Sequence, residues 1–207
     1  MIRIYFVRHG ETAWNIEAKY QGITDIPLSE AGVTQSKLLG ERFKGIKIDK
    51  IYSSPLSRAI ATANAVAVHK NIEVEPADEF IEINFGEWEG QTIYELKENY
   101  GESYMNFFNN PYANVFPGDG SFEVVEKRVC KGIDKIISGN DDKNIMVVSH
   151  GGVLRLMIIN ILCLPKTMYR KLWLDNTSVT VIDSVKGELF LRTLNDKAHL
   201  ENIIGGI

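Results

Sequence analysis

Cysteine is scarce in this sequence: the chain of 207 residues has two, Cys130 and Cys163, without the C-x-x-C spacing of redox or zinc motifs. We therefore expect both to be reduced thiols in the apolar core of a cytoplasmic protein. The formal net charge is −4, which argues against a main role in binding nucleic acid or an anionic membrane. No apolar run is long enough to cross a bilayer, and the apolar start MIRIYFV is too short for the core of a signal peptide. Any anion that this protein binds must be held by a local cationic site.

The sequence also lacks the spacing of metal ligands. Its four histidines and scattered carboxylates include no H-x-x-x-H or comparable pattern, so we expect a protein that works without a metal or other cofactor. Proline is rare, with six residues, and 44% of the residues are hydrophobic. Because a chain of this size and composition can bury one sizeable core, we expect a single domain over residues 1–207.

Hydrophobic periodicity predicts alternating strands and helices. Residues 2–7 and 143–150 read as buried strands, and residues 28–43 as an amphipathic helix capped by Ser29. The tail SVTVIDSVKGELFLRTL predicts two antiparallel strands around a Lys186-Gly187 turn. The fold class is therefore α/β, a three-layer α/β/α arrangement with a mostly parallel mixed sheet and an antiparallel edge hairpin. Residues from about 82 to 121 have weak periodicity and predict a partly helical insertion that covers a functional site.

Unusual polar residues stand where the predicted strands end. Arg8 and His9 follow the first strand, while Ser149 and His150 close a later one, and a glycine comes after each histidine. Ligands of parallel sheets bind at the edge where the carboxyl ends of the strands meet. A third strand, IYSS, ends at the same edge and leads into a helix whose first turn carries Arg58. Two arginines and two histidines therefore converge, and guanidinium groups of this kind predict a phosphoryl ligand.

Histidine is suited to accept a phosphoryl group, because neutral imidazole is nucleophilic and abundant near pH 7. Neighbouring arginines should lower the pKa of that histidine and keep it neutral. The leaving oxygen needs a proton, and the run FIEINFGEWEG offers three general acids, Glu82, Glu87 and Glu89. Apolar neighbours should raise the carboxyl pKa of such a glutamate toward neutrality.

Four motifs in this order, VRHGETAWN, IYSSPLSRAIATA, EINFGEWEG and VSHGGVLR, resemble the histidine phosphatase superfamily, which includes the phosphoglycerate mutases. The similarity extends from Ile4 through LNDKAHL. It implies that His9 is the nucleophile that becomes phosphorylated and that Glu82 is the proton donor and later the base for water. Arg8, Arg58 and His150 are implied as the other catalytic residues. The substrate- and phosphate-binding residues that we predict are Arg8, Asn15, Gln21, Gly22, Arg58, His150 and Gly151.

The segment after Glu82 favours the phosphatase branch of that family, which includes α-ribazole, broad-specificity and metal-independent phosphoserine phosphatases. Mutases of the family carry a longer, basic segment there, whereas FGEWEG is acidic. Glu87 and Glu89 would repel a second anionic group of the substrate if they face the pocket. Residues 118–121 read GDGS where the family often has GGES, so the substrate contact of that loop is not carried over.

We therefore predict a metal-independent phosphomonoesterase that hydrolyses a small phosphorylated metabolite through phosphohistidine. The alternatives are phosphoryl transfer of the phosphoglycerate mutase type and a phospho-ligand-binding protein without catalysis. The partner is a small-molecule phosphomonoester, and the protein is a monomer or a homodimer, for which the apolar tail hairpin offers an edge. Gln21 is as readily an exposed loop residue, while His199 and Arg155 more often stabilise structure than touch a substrate.

Overall fold

The structure is a computed structural model that describes residues 1–201. Its strands are β1 (Ile2–Arg8), β2 (Lys50–Ser53), β3 (Val74–Pro76), β4 (Asn144–Ser149), β5 (Val179–Val185) and β6 (Glu188–Asp196). Its helices are α1 (Ala13–Ile16), α2 (Glu30–Phe43), α3 (Ser57–Ala67), α4 (Ile93–Asn109), α5 (Phe122–Ile137) and α6 (Gly151–Ile161). Short 3₁₀ segments lie at Asp78–Phe80, Gly86–Trp88, Lys166–Arg170 and Ala198–Leu200. The expected domain over residues 1–207 includes 202–207, which lie outside the described residues, and it stays a prediction.

The six strands form one mixed sheet in the order β3-β2-β4-β1-β5-β6. The pairs from β3 through β1 are parallel, whereas β5 is antiparallel to β1 and β6 is antiparallel to β5. Lys186 and Gly187 connect β5 to β6 and both have positive φ angles, 52° and 84°, as a two-residue hairpin turn requires. The mostly parallel sheet with an antiparallel edge hairpin is thus confirmed.

Side chains of β1 alternate between two buried layers. Ile4 and Phe6 belong to the core that α5 and α6 cover, while Tyr5 and Val7 belong to the core under α2 and α3. Because helices cover both faces, the strand is apolar at nearly every position, as the sequence predicts. The three-layer α/β/α arrangement is confirmed. Within residues 1–201, no helix combines the length and apolar character needed to cross a membrane.

Helix α2 fixes the loop that follows β1. Ser29 caps the helix by accepting a hydrogen bond from the Gly32 amide at 3.0 Å, a contact worth about 1 kcal/mol. A β carbon on Gly32 would lie 2.0 Å from the Glu11 carbonyl oxygen, so only glycine permits this approach. The helix thereby presses against the residues just after His9 and holds the end of β1 in place.

The insertion between residues 82 and 121 is more helical than its weak periodicity predicts. Helix α4 has 17 residues, begins with a capping box between Thr92 and Glu95, and bends at Gly101, where φ is 51°. That bend shifts the two halves of the helix out of one periodic pattern, which hides the helix from a sequence reading. The buried side of the insertion is aromatic, with Trp88 and Phe107 in edge-to-face contact at 5.1 Å between ring centroids.

Both cysteines are unpaired, as expected, but the prediction that they lie in the core is wrong. Cys130 and Cys163 are exposed. Cys130 lies on the outer face of α5, whose buried face is formed by residues such as Val129 and Ile133. Cys163 follows α6 in a left-handed turn with a φ of 49°. Apolar neighbours in sequence point to other faces of these elements, so they do not bury the thiols.

Candidate active site

A cavity of about 340 Å³ opens at the carboxyl edge of the parallel strands and beneath the insertion. The predicted site residues that line it are Arg8, His9, Asn15, Gln21, Gly22, Arg58, Glu82 and Gly151. His150 lies behind this wall and is completely buried. Arg8 pairs with Ser149 in the register of β1 and β4, so the two following histidines lie side by side with ring centroids 5.0 Å apart.

His9 has the tautomer that a nucleophile needs. Its Nδ1 lies 2.7 Å from the carbonyl oxygen of Gly10. Because a carbonyl oxygen only accepts hydrogen bonds, Nδ1 carries the proton and Nε2 keeps its lone pair. Burial lowers the pKa of His9 well below 6.5, and the charges of Arg58 and Arg8 lower it further. The imidazole is therefore neutral at physiological pH.

His150 supports its neighbours from below the cavity. The Nε of Arg58 donates to Nδ1 of His150 at 3.2 Å, so the proton of this ring is on Nε2, which donates to the Ser54 hydroxyl at 2.7 Å. Burial is the main cause that lowers the pKa of His150 well below 6.5, and Arg58 adds to it. The ring is a neutral link between Arg58 and the end of β2.

Arg58 is a buried cation without a direct ion-pair partner in the described part of the chain. Its side chain is completely buried, and its two terminal nitrogens donate to the carbonyl oxygens of Thr24 and Gly22 at 2.8 and 2.7 Å. Among residues 1–201, no carboxylate forms a direct ion pair with it. Burial lowers the pKa of Arg58, and the more distant charges of Glu82, Asp25 and Glu89 offset part of that effect. With Nε on His150, three of its five N–H groups are used and two remain. Because an unpaired buried charge is costly, this position calls for an anion in the cavity.

Arg8 supplies a second cation to the same end of the cavity. One terminal nitrogen donates to the carbonyl oxygen of Leu174 at 2.7 Å, which fixes the direction of the guanidinium. Its Nε is buried and has no hydrogen-bond partner in the described part of the chain. Burial, followed by the charge of Arg155, lowers the pKa of Arg8 to about 10, so it stays charged near neutral pH.

The loop that supplies carbonyls to Arg58 is held by Glu89. This carboxylate accepts hydrogen bonds from the amides of Ile23 and Thr24 at 3.0 and 2.9 Å, and from the Thr24 hydroxyl. Glu87 is exposed, and neither glutamate lines the cavity. The repulsion of a second anionic group that FGEWEG suggested therefore has no structural basis.

The carboxyl group of Glu82 lies at the N-terminus of α6. Its Oε2 accepts from the amide of Gly152 at 3.0 Å, and its Oε1 accepts from the amides of Val153 and Ile83 at 3.0 Å. A β carbon on Gly152 would lie 2.7 Å from Oε1, so the missing side chain makes room for the carboxyl group. Oε2 accepts one protein hydrogen bond where Oε1 accepts two, so Oε2 has room for a transferable proton.

Arg128 braces the segment that carries Glu82. Its terminal nitrogens donate to the carbonyl oxygens of Ile81 and Glu82 at 2.5 and 3.2 Å. Asp119, from the GDGS stretch, accepts from the Asn84 amide at 2.8 Å on the other side. The stretch at residues 118–121 thus supports the backbone around the acid, and Asp119 does not line the cavity.

Asn15 and Gln21 belong to a polar network on the cavity wall. The Thr12 hydroxyl donates to Oε1 of Gln21 at 3.0 Å, and the Thr12 amide donates to Oδ1 of Asn15 at 3.1 Å. Asn176, which the sequence reading did not single out, donates to Oδ1 of Asn15 at 3.2 Å and to the carbonyl oxygen of His9 at 3.0 Å. Since the network ends on His9, it connects the wall to the nucleophile.

The cavity includes two arginines that sequence reasoning did not place there, Arg155 and Arg170. Arg155 stands one helical turn after Gly151, so the spacing in VSHGGVLR carries a signal for it. Arg170 has no comparable signal. His199 does not line the cavity; its Nε2 is 3.1 Å from the Thr177 hydroxyl and its Nδ1 is 3.3 Å from Arg42, consistent with a structural role.

Metal ligands are not clustered in the described residues: no group of three His, Cys, Asp or Glu side chains within 1–201 is arranged to hold an ion. The charged groups at the cavity's inner end are guanidinium and carboxyl groups. The arrangement therefore offers a nucleophilic imidazole, fixed cationic donors and a carboxyl group around one point, which suits phosphoryl transfer.

Comparison with known proteins places this arrangement in context. The sequence profile of the "Histidine phosphatase superfamily (branch 1)" matches residues 4–197. "Phosphoserine phosphatase 1" of Hydrogenobacter thermophilus is 34% identical over 200 residues, which cover 97% of this chain and 95% of that protein. "Adenosylcobalamin/alpha-ribazole phosphatase" of Salmonella typhimurium is 31% identical over 198 residues, covering 95% and 98% of the two chains.

A solved structure agrees with these sequence matches. The crystal structure of a phosphoserine phosphatase mutant (H9A) from Entamoeba histolytica, in complex with phosphoserine, superposes with a TM-score of 0.87 at 35% identity. The match covers 97% of this chain and 100% of that one.

Proposed function

The chain belongs to branch 1 of the histidine phosphatase superfamily, and we propose that its phosphomonoesterase reaction proceeds through a phosphoryl group held on His9. The observation that carries this proposal is the combination of a buried guanidinium at Arg58, which has no direct ion-pair partner in residues 1–201, with a neutral imidazole at His9 whose Nε2 lone pair is free. A phosphate ester supplies the anion that Arg58 lacks and brings phosphorus to the nucleophile.

In the first step, Nε2 of His9 attacks phosphorus, and the bond between phosphorus and the ester oxygen breaks. Glu82, in its protonated form, gives its proton to the departing oxygen, so an alcohol leaves. The remaining N–H groups of Arg8 and Arg58 bind the phosphoryl oxygens and stabilise their charge. Asn15 and Gln21 line the same cavity, and in this proposal their side chains contact the phosphoryl oxygens or the substrate next to them.

In the second step, Glu82 is a carboxylate and accepts a proton from water. The water oxygen bonds to phosphorus, the bond between phosphorus and Nε2 breaks, and inorganic phosphate leaves with His9 neutral again. His150 takes part as a positioning residue, because it holds Arg58 and does not line the cavity. Gly22 and Gly151 take part through their backbone, because they have no side chain and both line the cavity.

The substrate is a small phosphorylated metabolite, and the names of the relatives suggest two kinds, phosphoserine and α-ribazole phosphate. Phosphoglycerate mutase activity is the second candidate, since the "Probable phosphoglycerate mutase GpmB" of Salmonella choleraesuis is 30% identical over 206 residues. A mutase must return the phosphoryl group to a second hydroxyl, whereas a phosphatase passes it to water.

The test is release of inorganic phosphate in EDTA from an aryl phosphate, phosphoserine, α-ribazole 5′-phosphate, sugar phosphates and both monophosphoglycerates. We expect release that is abolished in His9→Ala. The matched control is His69→Ala, because His69 is exposed, lies just after α3 and does not line the cavity. Release that is lost in EDTA and restored by a divalent metal would refute the metal-independent mechanism. Isomerisation of a monophosphoglycerate without phosphate release would establish the mutase instead.

We also propose that the protein acts in the cytoplasm, on a small molecule and not on nucleic acid, as a monomer or a homodimer. The net charge of −4 and the two exposed, unpaired thiols support this setting. Sedimentation analysis at several protein concentrations distinguishes the monomer from the dimer.

A further inference from the structure

The cavity carries more positive charge than one phosphoryl group requires. Beyond the two arginines of the phosphoryl end, its wall includes Lys19, Arg155 and Arg170, while Glu82 is the one carboxylate among the described residues that line it. Lys19 is paired with Glu17 at 2.6 Å, so its charge is compensated. The guanidinium groups of Arg155 and Arg170, on the leaving-group side, have no role in the proposed phosphoryl transfer.

Arg155 reaches the cavity from α6. It lies four residues after Gly151 and therefore on the same face of the helix. A β carbon built on Gly151 would lie 3.5 Å from Nε of Arg8, so this face is turned toward Arg8. The influence of Arg155 on the pKa of Arg8 also reflects how near the two charges are. Nε of Arg155 is buried without a hydrogen-bond partner in residues 1–201. A buried N–H group without an acceptor is costly, so this site is incomplete as it stands.

Aromatic rings pack against both guanidinium groups. The guanidinium carbon of Arg155 lies 5.6 Å from the ring centroid of Tyr169 and 6.0 Å from that of Trp173. The guanidinium carbon of Arg170 lies 3.9 Å from the ring centroid of Phe108, on the insertion. A ring face attracts the cation but accepts none of its in-plane hydrogen bonds as an oxygen would. The two arginines are therefore positioned and still free to bind an anion.

The size and shape of the cavity favour a carboxylate as that anion. A volume of about 340 Å³ is near the lower end of ligand pockets. In the proposed function the phosphoryl group takes the inner end, which leaves a small space for the rest of the substrate. Apolar side chains, Phe85, Ile93 and Phe107, form much of the remaining wall. A carboxylate is small and planar, and its two oxygens match the N–H pairs of a guanidinium.

We propose that Arg155 and Arg170 form a second anion subsite that binds a carboxylate on the leaving group, so that the substrate is the phosphate ester of a small hydroxy acid. This inference rests on the proposed function and narrows it: of the two kinds of substrate that the relatives suggest, it selects the carboxylate-bearing one. An α-ribazole ester offers no carboxylate to these arginines.

The test compares kcat/KM for two pairs of esters that differ at the carboxylate. They are phosphoserine with phosphoserine amide, and 3-phosphoglycerate with glycerol 3-phosphate. We expect the carboxylate member of at least one pair to be preferred by about 10-fold or more, as a charge-assisted contact predicts. Arg155→Gln and Arg170→Gln should each reduce this preference several-fold, mainly through KM, while an aryl phosphate changes by less than about 3-fold.

Two further variants separate recognition from structure. Arg155→Lys keeps the charge and should restore part of the preference lost in Arg155→Gln. Lys171→Gln removes one positive charge beside Arg170 from an exposed residue outside the cavity, and should leave the preference unchanged. If Arg155→Gln does not fold, Arg170→Gln still tests the subsite, because its side chain is exposed.

The two proposals fail in different ways. Hydrolysis of the aryl phosphate that depends on His9, without a carboxylate preference in either pair, would overturn the subsite and leave the phosphatase intact. A preference that survives both arginine-to-glutamine changes would overturn the subsite as well. No hydrolysis of any ester would overturn the proposed function and this inference together.

Discussion

Gly152 offers a direct test of how Glu82 is positioned. In Gly152→Ala the new β carbon would stand 2.7 Å from Oε1 of Glu82, whereas ordinary contact begins at 3.4 Å. The carboxyl group must therefore withdraw by roughly 0.7 Å, the difference between those two distances. Its hydrogen bonds to the amides of Gly152 and Val153 lengthen with that movement.

The size of the effect depends on how much the leaving oxygen needs the proton. A general acid contributes about 10²- to 10⁴-fold, and a displacement near 1 Å can remove about 10²-fold. We expect Gly152→Ala to lower kcat/KM for an alkyl phosphate by about 100-fold. For an aryl phosphate, whose leaving group is stable as an anion, the loss should stay within about 3-fold.

The assay is phosphate release from one alkyl and one aryl ester, measured for wild type, Gly152→Ala, Glu82→Gln and Gly151→Ala. Glu82→Gln removes the acid and so measures how much more kcat/KM falls for the alkyl ester than for the aryl ester when no proton is donated. Gly151→Ala is the neighbouring comparison, because its β carbon meets Arg8 at no less than 3.5 Å and touches no atom of Glu82. It should leave the ratio between the two esters unchanged.

Equal losses on both esters in Gly152→Ala and in Glu82→Gln would refute Glu82 as the acid. Thermal unfolding of each variant shows whether a loss of activity is caused by a loss of stability. An alanine substitution early in a helix ordinarily stabilises by up to about 1 kcal/mol, so a large drop in melting temperature would show that the clash has spread beyond the carboxyl group.

Three further results are expected. The ring-proton resonances of His9 and His150 should keep the positions of neutral imidazole from about pH 8 to below pH 6, because both pKa values lie well below 6.5 and the neutral form exists above the pKa; a midpoint at 6.5 would contradict this. Arg128→Gln should lower kcat by about 10-fold for alkyl phosphates and much less for aryl ones, since it loosens the backbone of Glu82; equal losses would argue for a general structural role. Asp183→Asn should lower the free energy of unfolding by about 1–3 kcal/mol in urea titrations, less than for a fully buried pair because its partners Arg3 and Arg192 are partly exposed; an unchanged midpoint would show that the pairs contribute nothing.

Much of the site's inner end is predictable from the sequence because it follows from strand ends. Arg8 and His9 end one strand, His150 ends another, and parallel pairing brings such ends to one edge. The helix that carries Arg58 begins just after a third strand of the same sheet. In each case a local pattern and one topological rule are enough.

The supporting contacts and the leaving-group side are not predictable in this way. Glu89 is acidic in sequence, yet its direction depends on amides of residues 23 and 24, far away along the chain. Arg170 lines the cavity with its guanidinium packed on Phe108, a residue of the insertion that is far away along the chain. Such contacts depend on how distant segments pack, and no periodicity within one segment encodes them.

The uncompensated guanidinium of Arg58 also bears on how firmly the protein holds together. Folding withdraws this charge from water with only neutral partners in direct contact, two carbonyl oxygens and the His150 ring, at a cost of several kcal/mol. An anion that enters the cavity binds the folded chain and not the unfolded one. Free phosphate at 100 times its dissociation constant would add about 2.7 kcal/mol to the free energy of unfolding. In the proposed function the reaction product therefore stabilises the folded chain by mass action, and we expect resistance to heat and proteolysis to rise with the phosphate concentration around the protein.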